Sequence, residues 1–209
     1  MTEIFRLFKL GLDPSFEAQY TQVGRQNFKQ SMALEVGTLA MFGAHVENSP
    51  LQKIVVERYA SEAAYQAHVA SSHFKSFAEM AKAAFISRQV INLEPAIFLQ
   101  KSEPMRNFAA AGLSVRLAQV EVSDSQAFSA IVLPEMRASM ETEAGVLVMY
   151  AGKDTANPNI WYFFEVYQNE AAYTSHCQTP HFKDYINKTQ DLVLNKDLQV
   201  LTGEMLVHQ

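Results

Sequence analysis

Cysteine is almost missing from this chain: Cys177 is the only one in 209 residues. No intrachain disulfide can form, and such usage fits a reducing compartment, so a cytoplasmic location is expected. Cys177 stands where the first half of the chain has Val69, which marks it as a small apolar packing residue rather than a nucleophile. No apolar run reaches the ~18 residues that a membrane-spanning helix needs. The opening Met-Thr-Glu-Ile-Phe-Arg has no apolar core of a secretory leader. Positive charge is also scarce, with 17 Lys and Arg against 22 Asp and Glu, so nothing favours a nucleic-acid partner. No glycine-rich phosphate loop, dinucleotide fingerprint or nucleophile elbow is present.

What is present is an internal repeat. Glu57–Phe77 recurs as Glu165–Tyr185, 108 residues later without a gap, and 10 of the 21 positions are identical. The same offset pairs Ser31 with Ser139, Glu35 with Glu143 and Gly37 with Gly145. A register this long implies two copies of one domain. The expected boundaries are 1–101 and 112–209, joined by a linker over 102–111.

Each copy reads β-α-β-β-α-β. Strands are predicted at Ile4–Leu12, Thr38–Val46, Lys53–Tyr59 and Val90–Gln100, and again at Leu113–Val122, Val146–Lys153, Ile160–Tyr167 and Gln199–Val207. Asp13 before Pro14, and Ser123 with Gln126, look like helix starts. Gly37 and Gly145 suit the left-handed position that ends a helix. Ser61 and Asn169 suit the caps of the second helix, which breaks at Ser71-Ser72 and at Thr179-Pro180. This order is the ferredoxin-like arrangement of the α+β class. Its sheet has one uncovered face, yet Ile54, Val56, Tyr162 and Phe164 are apolar there. The expectation is that the two sheets cover each other in a pseudo-dimeric α+β barrel.

Four of the six histidines lie in the repeated segment, as His68 with His176 and His73 with His181. His73 and His181 fall near a helix start, which favours a neutral ring able to act as a general base. The competing reading is a helix-start residue bonded to its neighbours. His68 and His176 either line the same cavity or pack in the core. Glu57 and Glu165 interrupt apolar strands, each on the same face as Tyr59 or Tyr167. A carboxylate there is either a pocket acid or base with a raised pKa, or a satisfied structural group. The spacing His-x4-His straddles a helix break, so no metal site is expected.

These residues resemble the antibiotic-biosynthesis monooxygenase family of dimeric α+β barrels. The resemblance rests on Glu165-Val-Tyr-Gln-Asn-Glu-Ala-Ala-Tyr, His176 and Thr179-Pro-His-Phe-Lys-Asp-Tyr185, and on Glu57, Tyr59, Glu62, His68 and Ser72-His73-Phe74-Lys75. It implies a cofactor-independent monooxygenase acting with O2 on a small quinol- or phenol-type aromatic. His73, His181, Glu57 and Glu165 would be catalytic. Tyr59, His68, Phe74, Tyr167, His176 and Phe182 would bind substrate, with one pocket in each copy. The Thr179-Pro180 start brings the second copy nearer to the family pattern. The resemblance also implies an internal pseudo-dimer and leaves further homo-oligomerisation open. Haem-degrading relatives place a histidine where this chain has Ala78 and Ile186, so haem degradation is not expected. Many oxygenase relatives carry Trp at the positions of Tyr59 and Tyr167. The family also includes isomerases of small phosphorylated carbonyl compounds. Such an isomerase, or a non-catalytic small-ligand-binding domain, is the alternative.

Overall fold

The structure, a computed structural model, describes residues 3–109 and 112–209. The fold is α+β. The first repeat runs β1 (Ile4–Leu12), α1 (Glu17–Leu34), β2 (Thr38–Val46), β3 (Ser49–Tyr59), α2 (Glu62–Ala70), α3 (Ser72–Ala84) and β4 (Phe85–Gln100). After the short strand β5 (Arg106–Asn107), the second runs β6 (Ser114–Val122), α4 (Ser125–Thr142), β7 (Val146–Asp154), β8 (Ile160–Tyr167), α5 (Glu170–His176), α6 (Pro180–Thr189) and β9 (Val193–His208). Both repeats are therefore β-α-β-β-α-β. In each, the third strand pairs antiparallel with the first and the second.

The chain forms two compact units that do not follow the repeat boundary. One holds the chain up to Asn92, the segment from Pro104 and residues Thr202–Gln209; the other holds Leu93–Glu103 and Gly112–Leu201. Strands β4 and β9 are twice the usual length, and each gives its second half to the unit built mainly from the other repeat. In the first unit the order β2-β3-β1-β4 is extended by a β2–β9 pairing. In the second, β4 pairs with β7, and β9 with β6.

The third strand of each repeat is buried on both faces. In β3, Ile54 and Val56 on one face and Val55 and Glu57 on the other are all at most 9% exposed. In β8, Tyr162 and Phe164 are buried on one face and Trp161 and Phe163 on the other. The first unit's core includes Leu10, Phe28, Met41, Val55, Met205 and Val207. The second unit's core centres on Phe128, Val132, Met136, Trp161 and Phe163.

Three local expectations are corrected. The cap of α4 is Asp124, whose carboxylate accepts from the N–H groups of Gln126 and Ala127, not Ser123 paired with Gln126. Strands β4 and β9 begin at Phe85 and Val193, earlier than Val90 and Gln199. Their first halves are exposed, so backbone pairing extends them without an apolar signal in the sequence. Gly37 and Gly145 are not left-handed, since Gly112 is the only described glycine with positive φ. What they provide is room. A Cβ on Gly37 would lie 2.4 Å from the Ala64 Cβ, and one on Gly145 would lie 2.6 Å from the Ala172 Cβ. The turn after the first helix of each repeat presses against the next helix, and only hydrogen fits between them.

Candidate functional site

Local capping sets the positions of the histidines. Ser61 and Asn169 cap α2 and α5 through the N–H groups of Ala64 and Ala172. Ser71 and Thr179 then cap α3 and α6 through those of Phe74 and Phe182. This break in the chain turns His68 and His73 toward one carboxylate, Glu35, which lies just past the end of α1.

Glu35 accepts from Thr38 Oγ1 at 2.5 Å, from His68 Nδ1 at 3.0 Å and from His73 Nε2 at 2.6 Å. Burial alone would raise its pKa, but the bonds from Thr38 and the two rings outweigh it and hold the carboxyl below its ordinary value. The ionised carboxylate can only accept, so Nδ1 of His68 carries the proton. Burial lowers the His68 pKa and keeps the ring neutral. Its Nε2 is then a bare lone pair, buried and without a hydrogen-bond partner. Phe74 packs edge-on against this ring at 4.7 Å, and Tyr59 lies at 5.4 Å. The second repeat matches: Glu143 Oε1 meets His176 Nδ1 at 3.1 Å and His181 Nε2 at 2.7 Å.

Glu35 and Glu143 were not singled out as functional residues in the sequence. Their signal was there, in the 108-residue offset that pairs them, but an exposed-looking Glu beside a helix end suggests no partner. Glu135 was likewise missed. It accepts from Ser139 Oγ at 2.7 Å, and burial raises its pKa. One ligand atom from each of Glu35, His68 and His73 lies within 4.8 Å of the others, as is true for Glu135, His176 and His181. These two groups are where a divalent cation would be held, although Glu35 is already saturated by its donors.

The second feature is a cavity in the first unit, about 150 Å³ in volume. Its wall includes Phe8, Phe28, Tyr65, Phe74, Phe77 and Phe85, with Gly24, Val55 and Met205. Polar groups interrupt this aromatic cage: Asn27, whose buried Oδ1 has no partner, Glu57, and the cations Lys82 and Arg88. Burial raises the Glu57 pKa to about 7, against the opposing effects of Tyr59, Arg6 and Arg88. Tyr59 is fully buried and donates its O–H to Glu57 Oε2 at 3.0 Å.

Of the expected site residues in the first repeat, the cavity therefore takes Glu57 and Phe74. Tyr59 stands behind Glu57. His68 is enclosed between Tyr59 and Phe74, and His73 opens onto a separate recess with Gln26, Gln30 and Ser76. In the second unit the corresponding cavity is only about 40 Å³, lined among others by Glu135, Glu165, His176 and Phe182. Tyr167 again donates to the glutamate, Glu165, at 2.8 Å. His181 faces a different recess, beside Pro134, Glu135 and Lys188.

Duplicated α+β repeats, each holding a tyrosine-backed carboxylate against an aromatic wall, define a class of small-ligand protein. The chain belongs to the antibiotic biosynthesis monooxygenase family, whose sequence model matches residues 4–80 and 115–188. It is similar to a candidate monooxygenase from Lactobacillus acidophilus NCFM, with 32% identity and a TM-score of 0.94, covering 100% of this chain and 97% of that one. It shares the fold of a candidate monooxygenase from Fusobacterium nucleatum, at 22% identity and a TM-score of 0.90, over 100% and 95% of the two chains. An uncharacterised protein of Synechocystis, sll1783, is 36% identical over 52 residues, which is 25% of this chain and only 35% of that protein. Family membership supports a monooxygenase-like function and small-molecule binding. No helix among the described residues is long and apolar enough to cross a membrane.

Proposed function

We propose that the protein is a cofactor-independent monooxygenase of a single-ring phenol or hydroquinone, with the first unit's cavity as its site. The observation that carries this reading is the pairing of an aromatic cage with one buried carboxylate whose pKa is about 7. A cavity of roughly 150 Å³ admits one benzene-sized ring. A base with a pKa near the working pH is suited to accept a proton at neutrality, and such a base contributes about 10²–10⁴-fold in rate. A phenol ionises near pKa ~10, so the transfer to Glu57 is uphill by about 4 kcal/mol, a small part of a typical barrier.

Glu57 takes the phenolic proton while Tyr59 holds the carboxylate in place. The phenolate gives an electron to O2, and the two fragments recombine on the ring inside the apolar wall, away from water. For hydroquinone, one oxygen atom enters a ring C–H bond to give the hydroxyquinone. The other leaves as water with the two phenolic hydrogens, and the ring supplies all four electrons. Neither flavin nor metal is needed for that balance. His73 and His181, which the family resemblance marks as catalytic, are assigned here to holding the Glu35 and Glu143 networks.

The test is O2 uptake by metal-stripped protein over a panel of hydroquinones and phenols, with an anaerobic control. Uptake above autoxidation that Glu57→Gln removes supports the reading. No uptake with any single-ring substrate rejects it, and ligand binding without uptake would favour a binding domain.

A further inference from the structure

The 108-residue register allows the two cavities to be compared wall by wall. Glu57 and Glu165 correspond, as do Tyr65 and Tyr173, and Phe74 and Phe182. The volumes nevertheless differ, about 150 Å³ against about 40 Å³. Asn27 against Glu135 adds bulk to the second cavity's wall, and two apolar positions add more. Gly24 on α1 corresponds to Val132 on α4, and Val55 on β3 corresponds to Phe163 on β8.

A Cβ on Gly24 would meet nothing nearer than Met205 Cε at 3.6 Å and Phe77 Cε2 at 3.9 Å. The missing side chain therefore leaves space that belongs to the cavity. In the second unit that space is occupied: Val132 is 2% exposed and lies in the core cluster with Phe163. Phe163 stacks on Trp161 at 6.0 Å and meets Phe128 edge-on at 6.2 Å. Leu10 against Ala118 and Phe85 against Val193 run the other way. The difference is thus one of where the bulk sits, and in the second unit it sits around the glutamate. About 40 Å³ holds a water or two, not a ring.

We propose that the two repeats have divided their roles: only the first unit binds the aromatic ligand, Gly24 and Val55 set the volume that admits it, and Val132 and Phe163 close the second. The identity of the ligand class rests on the function proposed above, but the asymmetry does not require turnover. The test is therefore binding, with phenol as the probe, titrated anaerobically into the full chain and followed by calorimetry and by ligand NMR. One phenol per chain is expected. Gly24→Val should weaken binding by at least about tenfold, the effect of one methylene or more in a closed apolar pocket. Gly24→Ala, whose added methyl meets only ordinary contacts, serves as the milder variant if valine impairs folding; it should weaken binding less. The reciprocal pair Val132→Gly with Phe163→Val should raise the stoichiometry from one to two. Two phenols bound to the unaltered protein, no binding at all, or unchanged affinity in a folded Gly24→Val protein would each overturn the proposal. One phenol bound in this titration, with no O2 uptake across the aerobic panel of hydroquinones and phenols, would refute the oxygenase reading and leave the asymmetry standing.

Discussion

Replacing Glu57 by glutamine should make the protein more stable at pH 8 and leave it nearly unchanged at pH 4. The folded protein holds this carboxyl at about 7 against an ordinary 4.5, chiefly because burial disfavours its charged form. Each pKa unit is worth ~1.4 kcal/mol, so the gap corresponds to about 3 kcal/mol. The sign follows from linkage. Between pH 4.5 and 7 the folded state keeps a proton that the unfolded chain has lost, so stability falls as pH rises through that window. Above it the native carboxylate is ionised and the full ~3 kcal/mol is lost. Glutamine has the same shape, can still accept from Tyr59, and never ionises. Urea unfolding of both proteins from pH 4 to pH 8 isolates the effect, because every other titrating group cancels in the difference. The variant's advantage should grow from near zero to about 3 kcal/mol and level off above pH 7. A difference that stays constant with pH would refute a raised Glu57 pKa and, with it, the case for this group as the base.

Further outcomes are expected. Tyr59→Phe removes a hydrogen bond that favours the charged carboxylate; the acid limb of the pH–rate profile, set by Glu57, should move to higher pH. Glu35→Ala leaves His68 and His73 without their shared acceptor and should cost about 2–4 kcal/mol in denaturant unfolding, because buried donors lose their partner. Glu35 is held low, so its contribution is present above pH 4.5 and lost as pH falls through its folded value; that acid-side loss should disappear in the variant. Gly37→Ala should destabilise by about 1–3 kcal/mol through overpacking against Ala64, with partial rescue by Ala64→Gly. His73→Ala should lower the melting temperature while leaving kcat within a few-fold, in contrast to Glu57→Gln; a collapse of kcat in a folded His73→Ala protein would restore the histidine as the base.

The repeat made most of the fold legible. A common register gave the element order, and the caps Ser61, Asn169 and Thr179 act where their side-chain oxygens suggested. Strand starts were less legible where pairing, not burial, extends the chain, as at Ser87-Arg88-Gln89 in β4. The carboxylate in the apolar strand was readable as unusual because Glu57 breaks an otherwise apolar run. What a linear pattern could not convey was which groups share a space. Glu35 is 38 residues from His73 yet accepts its hydrogen bond, and the residue that opens the cavity, Gly24, signals itself only by having no side chain.

The exchanged ends of β4 and β9 make the two units unequal in time. The second unit's segments lie contiguously enough to come together as they are made, whereas the first unit must wait for Thr202–Gln209. At the usual pace of synthesis, the roughly 100 intervening residues take ~5–20 s. Through that interval β2 lacks its β9 neighbour, and its unpaired backbone is open to the wrong strand. Gln209, which bonds the carbonyls of Thr38 and Glu35, arrives with that segment. The unit with the larger cavity is therefore the one whose sheet waits longest for its last strand.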